Sequence, residues 1–391
     1  MRILHIIGSI SPANGGTTEA VRMLIEHAPP GYSSEVVTLD EPSAPFLNTF
    51  TFPIHALGAG SWRSPHLNPW LRANRDRFDG VLVHGLWESI GLAVLQTIRG
   101  HKPYVVFPHG MLDPYFKRAF PKKHLKKQLL WLVFVHRELR SAFRVCFITA
   151  VERDLAAKTF WPSNWTPMVV GLGAEPPPHN PNTSIPAFYN LCPQVRGQRF
   201  LLFLGRLDPK KGPDLLLEAF AKTAALDPNL HLVMAGPGDA SYIAQLKSSI
   251  PAALNSRIHW PGMLKGEPKW GAFAASEAFI LPSHQENFGI AVVEALACAK
   301  PVLITHPINI APDVEADGCA LVEADTAQGI TNILQRWIAL PAGTRAAMSD
   351  QALITFATRY DIRQNAATIL RLFEPAAQLH STHPNTLAEV Q

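Results

Sequence analysis

Two cations and two carboxylates in the second half of the chain are of the types that bind a sugar diphosphate. Arg206 ends the apolar run FLLFLGR, and Lys211 follows five residues later in the same predicted strand-to-helix loop. A buried diphosphate needs fixed positive charge near both phosphates, and these two side chains can supply it. By themselves the two cations also fit an ordinary solvated loop, because charged side chains are mostly exposed.

The second segment with such residues is PSHQENFGIAVVEAL, where a loop leads from a strand into a helix. Glu286 lies in the loop and can accept hydrogen bonds from sugar hydroxyls. The first N–H groups of the helix form an anion site. Glu294 lies within the first two turns, where it can reach a ribose diol. Its neighbours are apolar, so a carboxylate there needs a partner.

The elements that must position these residues alternate between short apolar strands and helices, which is typical of parallel α/β architecture. In such sheets ligands bind beyond the carboxyl ends of the strands, and each motif above follows a predicted strand. Helices are predicted at 213–225 and 289–298. Strands are predicted at 2–10, 35–39, 80–84, 104–108, 145–149, 168–171, 200–205, 231–235, 278–281 and 301–304.

The length of 391 residues suits two domains of ordinary size. We expect a Rossmann-like acceptor domain at 1–175, a Pro-rich linker at 176–198 and a Rossmann-like donor domain at 199–359. The prolines of the linker predict that it holds no helix. A helix at about 360–376 is a candidate to pack back on the first domain, and the polar tail from about Ala376 is expected to be loosely ordered.

Composition excludes several classes of protein. No stretch reaches the roughly 18 to 20 apolar residues of a membrane span, and the start of the chain lacks a signal-peptide cleavage site. The four cysteines are scattered without zinc-site spacing, which favours a reducing compartment. The loop GSISPANGG lacks the G-x-G-x-x-G spacing of nicotinamide dehydrogenases. We therefore expect a cytoplasmic protein.

In combination, these motifs resemble the donor-binding core of retaining GT-B glycosyltransferases of family 4. Arg206 and Lys211 are followed about 75 residues later by Glu286 and Glu294, which stand at the Glu-x7-Glu spacing of that family. Shorter matches occur at Asn14-Gly15-Gly16 and at FPHG, residues 107–110. The resemblance implies two Rossmann-like doubly wound domains that face a central cleft.

The same resemblance implies a role for each matching residue. Arg206 and Lys211 would neutralise the donor diphosphate, Glu286 would hold the sugar, and His109 would contact the sugar near the reacting carbon. The other implied donor-binding residues are Gly15, Gly16, Met263, Leu264, Asn287, Phe288, Gly289 and Glu294. No metal or cofactor is expected, since the cations replace a divalent ion. UDP- and GDP-sugars are not distinguished.

A basic segment at 117–144 is the candidate acceptor and membrane region. It contains nine lysines and arginines against Glu138 alone, a net charge of +8, whereas the whole chain carries +4. The helical wheel places Leu125, Leu129 and Leu132 on the core face. The face predicted to meet an anionic membrane consists of Lys122, Lys123, Lys126, Lys127, Leu130 and Phe134. Nucleic acid is disfavoured because no aromatic residues for base stacking are interleaved.

The leading hypothesis is a metal-independent retaining hexosyltransferase, peripherally bound to the inner membrane. It would act on a polyprenyl- or lipid-linked saccharide in exopolysaccharide or lipopolysaccharide biosynthesis. One alternative is a related transferase with a soluble small-molecule acceptor, and another is a catalytically silent nucleotide-sugar-binding scaffold. A solvated basic face without a membrane partner also stays open.

Overall fold

The computed structural model describes residues 1–58, 65–115, 117, 120–178 and 180–374. The chain divides into two compact units. The first is Met1–Gly173 together with the described residues from Ile362, and the second is Ala174–Asp361. The tail expected to be loosely ordered lies outside the described residues.

The first unit is built on a seven-stranded parallel sheet in the order β3-β2-β1-β4-β5-β6-β7. Such a sheet is buried on both faces, which is why its strands are almost uniformly apolar. The strands are β1 Arg2–Ile7, β2 Ser33–Thr38, β3 Ile54–Ala56, β4 Gly80–His84, β5 Tyr104–Phe107, β6 Arg144–Phe147 and β7 Pro167–Val169.

The helices of the first unit connect these strands and cover the sheet. They are Gly16–Glu26, Leu67–Asn74, Ser89–Thr97, Pro121–Leu130, His136–Ser141, Ala150–Ala156 and, after the chain returns from the second unit, Ile362–Leu370, with a π-helical turn at Trp131–Val135. The returning segment is anchored at two points. The Phe373 ring lies where a Cβ on Gly80 would stand, and the Tyr32 hydroxyl donates to Glu374 Oε1 at 2.6 Å.

The second unit has a six-stranded parallel sheet in the order β10-β9-β8-β11-β12-β13. Its strands are β8 Arg199–Leu204, β9 Leu230–Ala235, β10 Ile258–Gly262, β11 Ala278–Leu281, β12 Val302–Thr305 and β13 Ala320–Glu323. Its helices are Pro181–Leu191, Pro213–Thr223, Ala240–Ser248, Gly266–Ala275, Ile290–Ala297, Ala311–Ala316, Ala327–Ala339 and Ala342–Thr355.

All ten predicted strands are present, with ends that differ by up to three residues. The sequence reading missed β3, β10 and β13, which are three to five residues long. Segments this short show too little periodicity to stand out from loops.

The prediction that the Pro-rich segment 176–198 holds no helix is wrong. The helix Pro181–Leu191 forms there, with Pro181 in its first turn and Pro186 inside it. A proline in the first turn costs little because that N–H has no partner within the helix. Tertiary packing stabilises the rest. Phe188 is fully buried against Phe200, and the Ser184 carbonyl oxygen lies 1.9 Å from where a Cβ on Gly271 would stand.

Across the described residues, none of the helices is both long enough and apolar enough to span a bilayer.

Candidate functional site

The two predicted donor loops of the second unit are joined by hydrogen bonds. They follow β8 and β11, which are neighbours in the sheet. The Ser283 hydroxyl donates to the Lys210 carbonyl at 3.0 Å, and the His284 N–H donates to the same oxygen at 2.9 Å. Parallel strands end at one edge of their sheet, so the loop carrying the cations and the loop carrying Glu286 form one surface there.

Gly212 allows this close approach. Its φ is +64°, in the left-handed region, and a Cβ added to it would lie 2.3 Å from the carbonyl oxygen of Pro282. Any other residue at this position would strain the backbone and push the two loops apart. The Lys-Gly pair of the motif is therefore a structural requirement as well as a source of charge.

Lys211 and Glu286 form an ion pair at the junction of the two loops. Their side chains are only 18% and 14% exposed, whereas Arg206 is exposed. A buried ammonium needs such a partner, and a bound diphosphate could replace or share it. Burial, and then the neighbouring Lys210 and Arg206 cations, lower the pKa of Lys211 to about 8. The Asp208 carboxylate opposes this shift, because it favours the charged ammonium.

Glu294 has the partner that its apolar surroundings require. Lys269 Nζ lies 2.8 Å from Glu294 Oε1, and the same ammonium stands 4.1 Å from the centre of the Trp270 ring. The Glu294 side chain is 15% exposed. Lys269 was missed in the sequence because nothing in its local pattern connects it with a glutamate 25 residues later.

The other predicted donor residues lie at the same edge of the sheet. Gly289 has a φ of +72° and precedes the helix Ile290–Ala297. Asn287 Oδ1 accepts from the Asn309 side chain at 3.2 Å, and Phe288 is buried with its ring edge-on to Tyr360. After β10, Met263 is 52% exposed and Leu264 is buried.

The loop after β9 was missed, although its Gly-Pro-Gly sequence was a usable signal. Gly236 has a φ of +144°, and a Cβ on it would lie 1.8 Å from the Gly205 carbonyl oxygen. The Leu207 N–H donates to the Pro237 carbonyl at 2.7 Å. This loop therefore supports the backbone on both sides of Arg206.

In the first unit, Gly15 and Gly16 begin the helix Gly16–Glu26 after β1. Gly15 has a φ of +64°, which explains glycine there, and a Cβ on either residue would meet no atom of the described residues within 4 Å.

His109 follows β5 and contacts a second histidine. Its φ is +48°, which is uncommon for a residue with a side chain. Its Nε2 lies 3.0 Å from His84 Nδ1, and its ring stacks on Phe107. Burial lowers the pKa of His109 to about 4, so the imidazole is neutral near pH 7.

The prediction that Leu125, Leu129 and Leu132 of the basic segment face the core is wrong. Leu125, Leu129 and Leu132 are 66%, 62% and 45% exposed, and Val133 is 64% exposed. The core is instead contacted by Trp131, which is fully buried. Phe134, predicted to meet the membrane, packs against the core, and Leu130 is half-buried. The helical wheel located two opposite faces but could not tell which one a neighbouring element covers.

The exposed leucines and Val133 form, with Lys122 and Lys126, what we name the apolar–basic face. Its members recur at spacings of three and four residues, so they lie on one side of the segment. Lys122 and Lys126 are exposed, and Trp161, 77% exposed, is joined to this helix because Gln128 donates to its carbonyl at 2.6 Å. Lys127 is half-buried, 4.5 Å from the centre of the Trp87 ring.

A cavity opens beside the same helix. Its walls are formed by Met111, Asp113, Lys117, Phe120, Lys123, His124, Lys127, Thr159 and Phe160. The lining thus includes three lysines and one aspartate, Asp113, whose carboxylate accepts the Tyr115 N–H at 2.7 Å. Burial, followed by the nearby Lys117 and Lys127, lowers the pKa of His124. The cavity is lined by both lysines and aromatic rings.

Two family models match the chain. The Glycosyl transferase 4-like domain matches residues 15–171, and Glycosyl transferases group 1 matches residues 193–355. The chain belongs to the family 4 glycosyltransferases. The two predicted donor loops of this glycosyltransferase lie within the second match, and His109 and the apolar–basic face lie within the first.

Two relatives show how far the similarity extends. The GDP-mannose:cellobiosyl-diphosphopolyprenol alpha-mannosyltransferase of Xanthomonas campestris is 26% identical over 376 residues, which cover 93% of this chain and 94% of that one. The D-inositol 3-phosphate glycosyltransferase of Streptosporangium roseum is 32% identical over 154 residues. That alignment covers 36% of this chain and only 35% of the relative.

Among solved structures, the Anabaena protein HepE in complex with UDP and glucose matches with a TM-score of 0.72 and 17% identity. The match covers 98% of this chain and all of that chain. At this identity the likeness concerns the fold alone. With the two parallel sheets, it confirms the predicted two-domain GT-B fold.

Proposed function

We propose that this glycosyltransferase moves a hexose from a nucleotide diphosphate sugar to a lipid-linked saccharide at the inner face of the bacterial cytoplasmic membrane, in exopolysaccharide or lipopolysaccharide biosynthesis. The observation that carries the donor half is the contact between the loops after β8 and β11. It gathers the cations Arg206 and Lys211 with the carboxylate Glu286 at one edge of the sheet.

Arg206 and Lys211 neutralise the donor diphosphate and the charge that develops on it as the sugar leaves. Such stabilisation by fixed charges is commonly a large contribution to catalysis. Glu286 and the backbone of Asn287, Phe288 and Gly289 bind the sugar hydroxyls. Glu294, held by Lys269, binds the ribose, and Met263 and Leu264 contact the base.

Retention follows from attack on the face that the diphosphate leaves. The bond between the anomeric carbon and the phosphate oxygen breaks, and the electron pair goes to the diphosphate. The acceptor hydroxyl then bonds to the same carbon from the same side, and its proton passes to the departing phosphate. His109 contacts the sugar beside this carbon, and the protein contributes mainly positioning and charge. The transfer needs no metal, so we expect the same rate in EDTA and in Mg²⁺.

The donor site is tested by thermal shift with UDP, GDP, ADP and their sugars, followed by transfer assays with the nucleotide that binds. A bound ligand raises the unfolding temperature according to its concentration over its Kd. Arg206→Ala and Lys211→Ala should abolish the shift, and Lys222→Ala, a change at an exposed lysine in the same unit, should preserve it. An unchanged shift in either of the first two variants would show that the donor binds elsewhere.

The acceptor half rests on the apolar–basic face and the adjacent cavity. Exposed leucines flanked by lysines suit an anionic membrane surface, where shallow insertion and electrostatic attraction act together. The cavity offers Lys117, Lys123 and Lys127 to a phosphate and aromatic rings to an apolar chain. The Xanthomonas relative, matched over nearly its whole length, is named for a diphosphopolyprenol acceptor.

Flotation with vesicles containing an anionic lipid tests membrane binding. Leu125→Gln with Leu129→Gln should weaken binding, whereas Leu226→Gln, at an exposed leucine of the second unit, should not. Lys122→Glu with Lys126→Glu should weaken it more at low salt than at high salt, because surface attraction is screened. Lys158→Glu with Lys265→Glu is the matched charge control. Equal binding by all variants would refute the membrane role.

The cavity is tested with two acceptors in the transfer assay. Lys117→Gln with Lys123→Gln should raise the KM for a polyprenyl diphosphate-linked saccharide and leave thermal shifts by the nucleotide unchanged. D-inositol 3-phosphate is the competing soluble acceptor, because it is the named acceptor of the shorter matches. Transfer to it, with none to the lipid-linked saccharide, would reject the lipid-linked proposal.

A further inference from the structure

Three imidazoles of the first unit form a continuous chain of contacts. His5 Nδ1 lies 3.0 Å from His84 Nε2, and His84 Nδ1 lies 3.0 Å from His109 Nε2. The rings stack as well, at 5.2 Å between the centroids of the first pair and 5.3 Å for the second. This histidine chain starts on β1, passes the last residue of β4 and ends after β5, so it crosses three neighbouring strands.

The histidine chain runs from the core of the first unit to the carboxyl end of its sheet. His5 is fully buried, His84 is 3% exposed, and His109 is partly exposed at the carboxyl end of the sheet. Burial lowers the pKa of all three rings, to about 3 for His5 and about 4 for His109. All three imidazoles are therefore neutral near pH 7, and each carries one N–H and one lone pair.

Because all three imidazoles are neutral, the hydrogen bonds between them must all run in the same direction along the histidine chain. Each N···N contact needs one N–H and one lone pair, so the tautomer of His84 dictates the tautomers of both neighbours. In one direction His5 Nδ1–H donates to His84 and His84 Nδ1–H donates to His109. The outer His109 Nδ1 then carries a proton. In the opposite direction every proton moves to Nε2, and the outer nitrogen of His109 is a bare acceptor.

The buried end of the chain distinguishes the two directions. His5 Nε2 is buried and has no hydrogen-bond partner among the residues that the structure describes. In the second direction this atom would be an N–H that donates to nothing, and buried N–H groups without a partner are rarer in proteins than acceptors that lack one. The first direction leaves only an unused lone pair at that place.

We propose that His5 and His84 are positioning residues that hold His109 in the neutral tautomer protonated at Nδ1, so that His109 meets the donor sugar as a hydrogen-bond donor. The inference rests on the proposed contact between His109 and the sugar. It also makes His109 unable to accept the acceptor's proton at Nδ1, which leaves that proton to the departing phosphate.

Long-range ¹⁵N–¹H spectra of the ¹⁵N-histidine-labelled full chain test the tautomer without any substrate. A protonated and a bare imidazole nitrogen have well-separated shifts, and replacing each histidine in turn assigns its signals. We expect Nδ1–H at His84 and His109. Nε2–H at either ring would overturn the proposal, whatever the donor or acceptor is.

His5→Phe tests the catalytic consequence, with His5→Leu as a second variant should the larger ring disturb folding. Either change removes the anchor of the chain and also a buried polar atom without a partner. We expect kcat to fall about two- to tenfold, the worth of one neutral hydrogen bond, while the unfolding temperature stays the same or rises. His109 should then show a mixture of tautomers.

His231→Phe is the control, because it breaks another stacked histidine pair, with His259 at 2.9 Å, on β9 and β10. It should leave kcat unchanged. An unchanged kcat in both His5 variants would overturn the positioning role. If kcat falls and the free energy of unfolding falls by the equivalent amount, the role of His5 is structural only. The nucleotide thermal shift tests the donor site separately, so its failure and that of the histidine chain are distinguishable.

Discussion

Replacing Glu138 by glutamine should stabilise the protein increasingly as the pH rises. Glu138 lies in the helix His136–Ser141 of the first unit and is 1% exposed. Its Oε2 occupies the space next to Gly91, 2.0 Å from where a Cβ on that glycine would stand, and its Oε1 finds no hydrogen-bond partner in the described part of the chain. Burial raises the pKa of this carboxyl from 4.5 to about 8.

The folded chain therefore keeps this proton between pH 4.5 and 8, where the unfolded chain releases it. Stability contributed by the group is present below the unfolded pKa and is lost as the pH rises toward the folded one. At 1.36 kcal/mol for each pKa unit, ionisation costs about 1 kcal/mol at pH 5 and about 4 kcal/mol at pH 8. Glutamine has nearly the same shape and does not ionise, so Glu138→Gln removes this cost.

Urea unfolding of both proteins at pH 5 and pH 8, followed by tryptophan fluorescence, measures the difference. We expect a small gain in the free energy of unfolding at pH 5 and a gain several times larger at pH 8. Glu41→Gln, at an exposed glutamate of the same unit, should show no such pH dependence. A gain that is equal at the two pH values would refute the assignment of a buried, protonated carboxyl.

Three further predictions concern the donor site. Gly212→Ala should weaken nucleotide binding, measured by calorimetry, about tenfold or more, because it separates the loops and breaks hydrogen bonds worth about 1 kcal/mol each. Gly197→Ala is the control, since Gly197 has a similar φ of +76° but no described atom within 4 Å of an added Cβ. Equal losses of affinity in the two variants would contradict the predicted clash. Because the pKa of Lys211 is about 8 and a diphosphate favours its charged form, nucleotide affinity should fall about twofold between pH 7 and 8 and more steeply above pH 8; an affinity that rises there would be inconsistent with this role. Lys269→Met should remove the ion pair with Glu294 and raise the nucleotide Kd about tenfold, a cost typical of one lost charged hydrogen bond, and no change in Kd would exclude a role for this ion pair in nucleotide binding.

Most of the second unit's predicted chemistry follows from local sequence. Arg206, Lys211 and Glu286 were identified because each follows a strand whose apolar run is easy to recognise, and parallel sheets place such loops at one edge. The structure adds what these residues contact. Lys211 pairs with Glu286, and Lys269 pairs with Glu294, and neither pairing could be derived from spacing within one segment.

The basic helix shows where sequence reasoning fails. Periodicity located two faces on Pro121–Leu130, but which face is buried depends on which one the rest of the unit covers. Trp131, which follows this helix, is fully buried, and Leu125 and Leu129 are exposed. The helix Pro181–Leu191 was missed for a related reason. Local proline chemistry disfavours a helix, and the packing of Phe188 outweighs that preference.

The sequence by itself determined the two parallel α/β units, the family resemblance and the loops that carry Arg206, Lys211 and Glu286, because strands and the loops after them are set by neighbouring residues. Only the tertiary structure decided which side of the basic helix is exposed and that His5, His84 and His109 touch. Those three histidines lie on or after separate strands, and only the order of strands in the sheet brings them into contact.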